Sequence, residues 1–249
     1  MSERFVFVTF TCRRDEILLP VWAEGVRRAC ARDGVEPVMV AAVDAGDADM
    51  VLPQGVARVI TRFERQGNLN GAAAVQGILG TLAAAGEAFD APAVKMDTDT
   101  VLTGTGWLAC LREAEGPGYV GLEAESTLSA TGIAYGFRPG YARACWGVAT
   151  PWRWGTQDGM PEDRLVCSLA LMCGRGRLLP WGAGEWCAAF VPWYFTEAGT
   201  LRGVQAAVHC GQAAPLAAYG AGVERAVLVR RMMRRVLREL WGTPGRFSV

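Results

Sequence analysis

Two aspartates separated by one residue, Asp97 and Asp99, directly follow a short apolar segment of the 249-residue chain. In an extended chain, residues i and i+2 point to the same side, so both carboxylates are expected to face one ligand. Magnesium and manganese favour one or two carboxylates together with substrate phosphates over a cage of protein groups alone. The pattern therefore predicts that Mn²⁺ or Mg²⁺ joins these aspartates to a nucleoside diphosphate.

Two other features of the sequence bear on this motif. A second Asp-x-Asp pattern, Asp47 and Asp49, lies several residues past its strand in a loop rich in glycine and alanine, which indicates a solvated turn. Lys95, the only lysine among 25 basic residues, precedes Asp97 by two positions. It either reaches a phosphate of the nucleotide or is an ordinary lysine at a strand end.

A second acidic pair, Glu162 and Asp163, lies in the first turn of a helix predicted to begin at Pro161. The positive end of the helix dipole favours an ionised carboxylate there, as a general base requires, although acidic first turns are common in any helix. His209 is the only histidine and follows a strand-like segment. It is either a structural residue or, as a neutral imidazole, a further ligand of an oxygen-rich metal site.

The elements that must position these residues alternate along the first part of the chain. Apolar and β-branched runs predict strands at 4–10, 37–43, 56–60 and 93–96, and apolar residues at helical spacing predict helices at 18–30 and 69–85. The alternation predicts an α/β fold with a mostly parallel sheet flanked by helices. Ligands of such sheets bind beyond the carboxyl ends of the strands, where Asp44 and Asp97 both fall.

The pattern is looser after residue 115. Strands are predicted at 119–122, 132–137 and 205–208, and helices at 161–174 and 223–241. No internal repeat or low-complexity linker divides the chain. We therefore expect one domain over residues 1–249, with a nucleotide-binding half at 1–114, an acceptor-binding and catalytic half at 115–222, and a C-terminal helix from 223 to 249.

The C-terminal helix is amphipathic and basic. Residues 223–246 hold seven arginines against two glutamates, a net charge of +5 in a chain whose total is zero. Such a helix either lies on an anionic membrane surface, with residues 223–241 as the contact, or packs on the domain and exposes a solvated arginine face.

Composition excludes several classes of protein. The balance of 25 basic and 25 acidic residues disfavours a nucleic-acid partner, and a single histidine excludes zinc sites built on two histidines. The sequence contains no run of eighteen apolar residues and opens without an apolar signal region, and none of its eight cysteines has Cys-x-x-Cys spacing. We expect reduced cysteines and a cytoplasmic location, including the inner face of the membrane.

The order of these motifs resembles the GT-A (Rossmann-like) fold of nucleotide-sugar glycosyltransferases, and most nearly the inverting family 2 group. The features that carry the resemblance are a nucleotide-binding first half, an Asp-x-Asp motif after the fourth strand, a Glu-Asp pair some sixty residues later and a late histidine. It covers roughly residues 4–212. The chain lacks the Gln-x-x-Arg-Trp motif of processive synthases, which favours transfer of a single sugar over polymerisation.

The resemblance implies a role for each matching residue. Asp97 and Asp99 match the metal and diphosphate motif, His209 the late metal-binding histidine, and Asp163 the catalytic base, with Glu162 beside it. The nucleotide-sugar site would also include the following residues: Asp44 at the base of the nucleotide, Thr9 and Thr11 flanking the same pocket, Lys95, and Asn70 in the Asn-Gly segment that approaches the donor. The implied enzyme is a hexosyltransferase-type glycosyltransferase that uses a nucleoside-diphosphate sugar and a saccharide or other hydroxyl acceptor.

Two other functions were considered. A nucleotidyltransferase that makes nucleotide sugars would need a glycine-rich phosphate loop after the first strand, where this chain reads Thr9-Phe10-Thr11-Cys12. A catalytically silent sugar-binding protein of the same fold would be expected to lose the Asp-x-Asp or the Glu-Asp pair, and both are present. Six of the nine tryptophans lie between residues 146 and 195, where they suit either an acceptor platform or an ordinary core.

Overall fold

The structure is a computed structural model, and it describes residues 3–63, 71–123, 130–149, 161–179, 188–190, 207–209 and 223–241. Within these ranges the strands are β1 (Glu3–Thr11), β2 (Val35–Asp44), β3 (Val56–Thr61), β4 (Ala93–Met96), β5 (Thr100–Leu102), β6 (Tyr119–Glu123), β7 (Ala130–Phe137), β8 (Gly176–Leu179), β9 (Ala188–Phe190) and β10 (Ala207–His209). The helices are α1 (Leu19–Asp33), α2 (Gly71–Phe89), α3 (Pro139–Ala149), α4 (Glu162–Met172) and α5 (Val223–Trp241), with short 3₁₀ helices at Arg13–Leu18, Ala45–Asp47 and Gly106–Leu111.

Seven strands form one mixed sheet in the order β3-β2-β1-β4-β7-β6-β8. The pairs β3–β2, β2–β1 and β1–β4 are parallel, and so is β6–β8, whereas β7 runs antiparallel to both β4 and β6. The predicted α/β fold with a mostly parallel sheet is confirmed. Because β7 pairs with β4, the sheet is continuous between the predicted first and second halves of the chain.

Helices cover both faces of this sheet. The reason is that successive residues of its strands point to opposite faces, and the side chains on both faces are apolar. Phe5 and Phe7 of β1 lie in one core with α1 and α5, whereas Val6, Val8 and Phe10 lie in the other with α2, α3 and α4. A strand whose alternate residues are buried on both faces is typical of a sheet covered by helices on each side. This packing leaves the carboxyl ends of the strands as the edge at which a ligand can be bound.

Several elements differ from the sequence prediction. Pro161 is the N-cap of α4, with φ −56° and ψ 140°, rather than a residue of its first turn. The helix α3 and the strands β5, β8 and β9 were not predicted from the sequence. In the second sheet, of order β5-β10-β9, β10 overlaps the strand predicted at 205–208, whereas the three residues of β5 and of β9 are too few to show a periodic pattern on their own.

Helix α2 is long enough and apolar enough to cross a bilayer by length and composition, with a mean hydropathy of 1.3. Its residues Val75, Ile78, Leu79 and Leu82 are fully buried in the core beside α3 and α4. This packing is that of a core helix.

Helix α5 is amphipathic in the structure as predicted. Its apolar face packs against α1, β5 and the 3₁₀ helix at Arg13–Leu18. The buried side chains are those of Ala226, Val229, Met233, Val236 and Leu237. Arginines at positions 231, 234, 235 and 238 are exposed on the remaining surface.

A buried hydrogen bond joins the end of β1 to the turn that follows β4. The hydroxyls of Thr9 and Thr98 lie 2.8 Å apart, and both side chains are almost completely inaccessible to solvent. Either hydroxyl can donate, and the pair satisfies two polar groups that would otherwise be buried without a partner. The bond therefore fixes Thr98, the central residue of the Asp-x-Asp motif, against the sheet.

Replacing one of these threonines by valine should destabilise the protein, because the remaining hydroxyl loses its partner inside the core. We expect Thr98→Val to lower the free energy of unfolding by about 1–3 kcal/mol, as measured by urea denaturation. The double variant Thr9→Val/Thr98→Val should cost less than the sum of the two single variants, because neither hydroxyl is then left unpaired. Additive losses would show that the hydrogen bond does not form.

Candidate functional site

The Asp97-Thr98-Asp99 motif forms a tight turn at the carboxyl end of β4. The Asp97 amide donates to the carbonyl of Ile133 at 3.0 Å, and the Thr100 amide donates to the Asp97 carbonyl at 3.1 Å. The sequence prediction assumed an extended chain here, whereas the structure has a turn. Asp97 and Asp99 are half-buried while Thr98 is buried, so the two acidic residues keep partial access to solvent as a metal site requires.

Lys95 is buried among three acceptors. Its ammonium lies 2.5 Å from Asp97 Oδ1 and 3.0 Å from Glu162 Oε1, and it also donates to the carbonyl of Gly132. Burial lowers the pKa of this lysine, but the charges of Asp97 and Glu162 outweigh that effect and raise it above its ordinary value. The expectation that Lys95 reaches a nucleotide phosphate is disfavoured, because its side chain is only 2% exposed.

Glu162 lies on the inner side of the first turn of α4. The residue is 6% exposed, and its Oε1 atom lies 3.5 Å from the Tyr135 hydroxyl as well as close to Lys95. Burial raises the pKa of Glu162 to about 7, against the opposing effect of the Lys95 ammonium. Glu162 is therefore a buried partner of the lysine, and its access to a substrate is small.

Asp163, the next residue, is half-buried. Its Oδ1 atom accepts a hydrogen bond of 2.7 Å from the amide of Arg164, and the amide of Gly132 also donates to its carboxylate. Burial raises the pKa of Asp163, while these backbone hydrogen bonds and the charge of Lys95 act in the opposite direction. Of the two acids, Asp163 is the one that retains access from outside.

Gly132 of β7 contacts both sides of this cluster. Its carbonyl accepts from Lys95, and a Cβ built on it would lie 3.2 Å from both Cβ and Oδ2 of Asp163. The missing side chain allows the first turn of α4 to approach the sheet this closely. Gly132 and Tyr135 were not predicted as site residues. For Gly132 a signal exists in the sequence, because a glycine within a strand often marks close approach by another group.

The backbone places His209 beside the Asp-x-Asp turn although 110 positions separate it from Asp99. In the antiparallel pairing of β10 with β5, His209 lies opposite Thr100, the residue that follows Asp99. Its predicted role as a metal ligand stays a prediction, and the register of the second sheet brings its backbone beside the residue that follows Asp99.

A separate acidic group lies at the carboxyl ends of β1 and β2. The ligand atoms of Cys12, Asp44 and Asp47 all lie within 4.8 Å of one another, close enough to surround one cation. Arg13 already binds this group, because its amide donates to Asp47 Oδ2 at 2.7 Å and its guanidinium contacts the carboxylate of Asp49. The second Asp-x-Asp pattern is thus an ion-paired cluster and not a simple solvated turn.

The remaining nucleotide-site predictions have different outcomes. Asp44 lies at the end of β2, where its Oδ1 atom is 3.5 Å from the hydroxyl of Thr61, and its contact with a nucleotide stays a prediction. Thr9 and Thr11 are completely buried, which argues against direct contact with a nucleotide. Asn70 lies outside the described residues.

Of the six tryptophans between residues 146 and 195, the structure describes Trp146. The indole nitrogen of Trp146 would lie 3.1 Å from a Cβ on Gly80 of α2, and the Arg143 guanidinium lies 5.0 Å from a Trp146 ring centroid. Trp146 is therefore part of the α2–α3 packing. The other five tryptophans between 146 and 195 lie outside the described residues.

The donor set at the turn fits a hard divalent cation. Asp97 and Asp99 offer half-buried carboxylate oxygens at the ligand-binding edge of the sheet, and carboxylates are the ligands that Mg²⁺ and Mn²⁺ prefer. One Asp97 oxygen is already bound by Lys95. Two carboxylates leave most of a cation's coordination to other groups, a role that suits the phosphates of a substrate.

Comparison with known proteins identifies the fold. No family model matches the chain, and no curated protein matches its sequence. A glycosyltransferase involved in the glycosylation of the major capsid of PBCV-1 superposes with a TM-score of 0.55 at 13% identity, covering 92% of this chain and 98% of that one. An active-site mutant of LgtC superposes with a TM-score of 0.50 at 14% identity, covering 91% and 95%.

At these identities the likeness is one of fold. The neighbours support the GT-A architecture, but they do not support the inverting family 2 group that the motif order suggested. The chain has the GT-A fold, as do these two glycosyltransferases.

Proposed function

We propose that the protein is a metal-dependent glycosyltransferase that moves one sugar from a nucleoside-diphosphate sugar to the hydroxyl of a saccharide or another acceptor. The observation that carries the proposal is the joint position of Asp97 and Asp163. One lies at the strand end where such folds bind ligands, the other in the helix turn next to it, and Lys95 and Gly132 connect them. This arrangement supports a diphosphate site at the strand end, with Asp163 as the base beside it.

The donor side of the reaction needs a place for negative charge. Asp97 and Asp99 would hold Mn²⁺ or Mg²⁺, with His209 as the further ligand that the backbone register allows. When bound, this ion would neutralise the charge that develops on the departing diphosphate. Asp44 at the end of β2 would contact the base of the nucleotide. The Asn-Gly segment that contains Asn70 would approach the sugar donor.

The acceptor side needs a base. A sugar hydroxyl is a poor nucleophile at neutral pH, so Asp163 would take its proton while the oxygen attacks the anomeric carbon. The bond from that carbon to the phosphate oxygen breaks, and the diphosphate leaves with the bonding electrons. A single displacement of this kind inverts the anomeric configuration. Glu162 would hold the turn from the inside, since it is buried against Lys95.

The two alternative functions receive less support. A nucleotidyltransferase would need a phosphate loop after β1, and that segment is instead a 3₁₀ helix whose Arg13 is bound to acidic residues. A catalytically silent sugar-binding protein would have no need for an accessible carboxylate held beside the proposed diphosphate site at the end of β4. Both acidic motifs are present and lie next to each other.

We further propose that the arginine face of α5 contacts an anionic membrane from the cytoplasmic side. The apolar face of α5 is already used in packing against the domain, so the contact would be electrostatic and would not insert the helix. Exposed arginines at 231, 234 and 238 lie on the surface that remains. Basic residues near a negative bilayer surface contribute about 1 kcal/mol each at low salt.

Removing a carboxylate of the turn should weaken binding of the metal–diphosphate complex. We expect Asp99→Ala to lower the affinity for UDP or GDP in the presence of Mn²⁺ by at least ~10-fold in calorimetric titrations, and a chelator should have the same effect on the parent protein. His209→Ala should weaken Mn²⁺ binding without loss of the fold.

The matched control for this experiment is Asp49→Ala, which removes the exposed acid of the other Asp-x-Asp pattern and should leave affinity unchanged. Equal affinities with metal, with chelator and in Asp99→Ala would refute the site.

Replacing the base should abolish transfer without abolishing donor binding. We expect Asp163→Asn to reduce kcat by ~10²–10⁴ while the calorimetric affinity for Mn²⁺–UDP stays within a few-fold of the parent. Since burial raises the pKa of Asp163, the acid limb of the kcat profile should lie above the ordinary aspartate range of about 4. Glu162→Gln is the control. A larger loss of kcat in Glu162→Gln than in Asp163→Asn would make Glu162 the base and Asp163 its neighbour.

The anomeric configuration of the product tests whether the transfer inverts. NMR of the glycoside formed should show an anomeric configuration opposite to that of the donor. A product with the donor's configuration would contradict direct attack by an acceptor that Asp163 has deprotonated.

Removing the exposed arginines of α5 should release the protein from anionic vesicles. We expect the triple variant Arg231→Gln/Arg234→Gln/Arg238→Gln to bind phosphatidylglycerol vesicles about 100-fold less tightly at low salt in sedimentation assays. A control variant removes three exposed arginines of other segments, Arg62, Arg175 and Arg177, and should bind as the parent does. Equal binding by both triple variants, or binding insensitive to salt, would disprove the contact.

A further inference from the structure

Lys95 connects three separate segments of the chain at one buried atom. Its ammonium reaches Asp97 at the end of β4, the carbonyl of Gly132 in β7, and Glu162 in the first turn of α4. An ammonium has three N–H donors, and three acceptors use all of them. Lys95 therefore has no donor left for a phosphate, and its role must act through these neighbours.

The cluster continues from Lys95 to Asp163 by two routes. Through Glu162, the lysine holds the residue that directly precedes Asp163. Through the carbonyl of Gly132, it holds the residue whose own amide donates to the Asp163 carboxylate. Both sets of contacts lead to the first turn of α4, which carries Asp163. They therefore link the position of Asp163 to Lys95.

Stability alone does not account for an ammonium at this place. Replacing a buried ion pair by apolar side chains of similar volume is often neutral or stabilising, whereas removing one partner is strongly destabilising. All three acceptors of Lys95 belong to the candidate site or adjoin it. A role in the geometry of the site explains these contacts better than a role in the core.

We propose that Lys95 is a positioning residue that anchors the first turn of α4, and with it Asp163, to the strand end that carries Asp97. This inference rests on the proposed function, since it assigns Lys95 to the base of that reaction.

The two sides of the site depend on Lys95 to different degrees. Backbone hydrogen bonds from Asp97 to Ile133 and from Thr100 to Asp97, together with the Thr9–Thr98 pair, hold the Asp97 turn without the lysine. The first turn of α4 has the Lys95 contacts, the hydrogen bond from the Gly132 amide to Asp163, and a 3.5 Å approach of the Tyr135 hydroxyl to Glu162. Loss of the ammonium should therefore loosen the base and leave the diphosphate side in place.

The consequence is a split between catalysis and binding. In Lys95→Met, a misplaced base should lower kcat by roughly 100-fold, since a shift of about 1 Å can have that effect. Affinity for Mn²⁺–UDP should stay the same or rise, because the substitution removes a positive charge beside a cation site. A phosphate-binding lysine or a collapsed site would instead lower affinity and kcat together.

The first measurement is hydrogen exchange of the full chain, which does not depend on any activity. Peptides that cover residues 161–170 should exchange faster in Lys95→Met than in the parent, while peptides that cover 94–101 should be unchanged. Faster exchange in both segments, or in neither, would overturn the anchoring role.

The second measurement pairs calorimetric Mn²⁺–UDP affinity with release of UDP from a panel of UDP-sugars, using water and simple saccharides as acceptors. Arg143→Met is the control, because it removes an exposed ion pair with Glu87 between α2 and α3, and it should alter neither quantity. A kcat equal to that of the parent, or a fall in affinity that matches the fall in kcat, would overturn the proposal.

Lys95→Met leaves the buried carboxylate of Glu162 without its ion-pair partner, which can prevent folding. The double variant Lys95→Met/Glu162→Gln also removes that charge and so provides a folded protein if the single variant does not fold. A double variant with parental thermal stability and low kcat supports the positioning role. Recovery of kcat to the value of Glu162→Gln alone would show that the ion pair only stabilises the fold. A parent protein that neither binds Mn²⁺–UDP or Mn²⁺–GDP nor releases nucleotide refutes the proposed function itself, whatever the exchange result.

Discussion

The antiparallel pairing of β7 with β4 is the constraint on which the candidate site depends. Because β7 runs against its neighbour, Ile133 near its start lies beside Asp97 at the end of β4. A parallel strand in this place would bring its carboxyl end there instead. The reversal puts the carbonyl of Gly132 next to Lys95 and presents the amide of the same residue to Asp163 in α4. One antiparallel strand in a mostly parallel sheet thus joins the two halves of the chain at the ligand-binding edge.

Charge balance explains why the acidic cluster is stable. Asp97, Glu162 and Asp163 gather around a single ammonium, and burial raises the pKa of both acids of α4. Without Lys95 the like charges would repel one another in surroundings that screen them poorly. With it, Glu162 can remain inside while Asp97 and Asp163 keep their access to solvent. The lysine thus allows several carboxylates to share one small volume.

The elements that the sequence predicted correctly are those whose burial produces a clear pattern. The apolar runs of β1, β2 and β4 and the periodic faces of α1, α2 and α5 gave their positions to within a few residues. The strands of the second sheet have three residues each, and the pairing of β10 with β5 joins segments more than a hundred positions apart. No local pattern encodes such a contact, and so only the structure places His209 beside Thr100.

The site shows the same limit in chemical terms. Residue type and spacing made Asp97, Asp99, Glu162 and Asp163 candidates, because the chemistry of a metal and of a base restricts which side chains can serve. The same reasoning left Lys95 as either a phosphate ligand or an ordinary lysine at a strand end. Its role depends on burial and on three acceptors from distant segments, and burial of a lysine is too rare to be expected from sequence.

The division of labour between Glu162 and Asp163 follows from helix geometry. Successive residues of an α-helix point about 100° apart, since one turn takes 3.6 residues. In the first turn of α4 this rotation directs Glu162 into the interior, where it is 6% exposed, and leaves Asp163 half-buried at the edge. An inner acid that binds the lysine fixes the turn, and an outer acid on the same rigid turn stays accessible. Two adjacent acids at a helix start therefore provide an anchor and a candidate base from a single structural element.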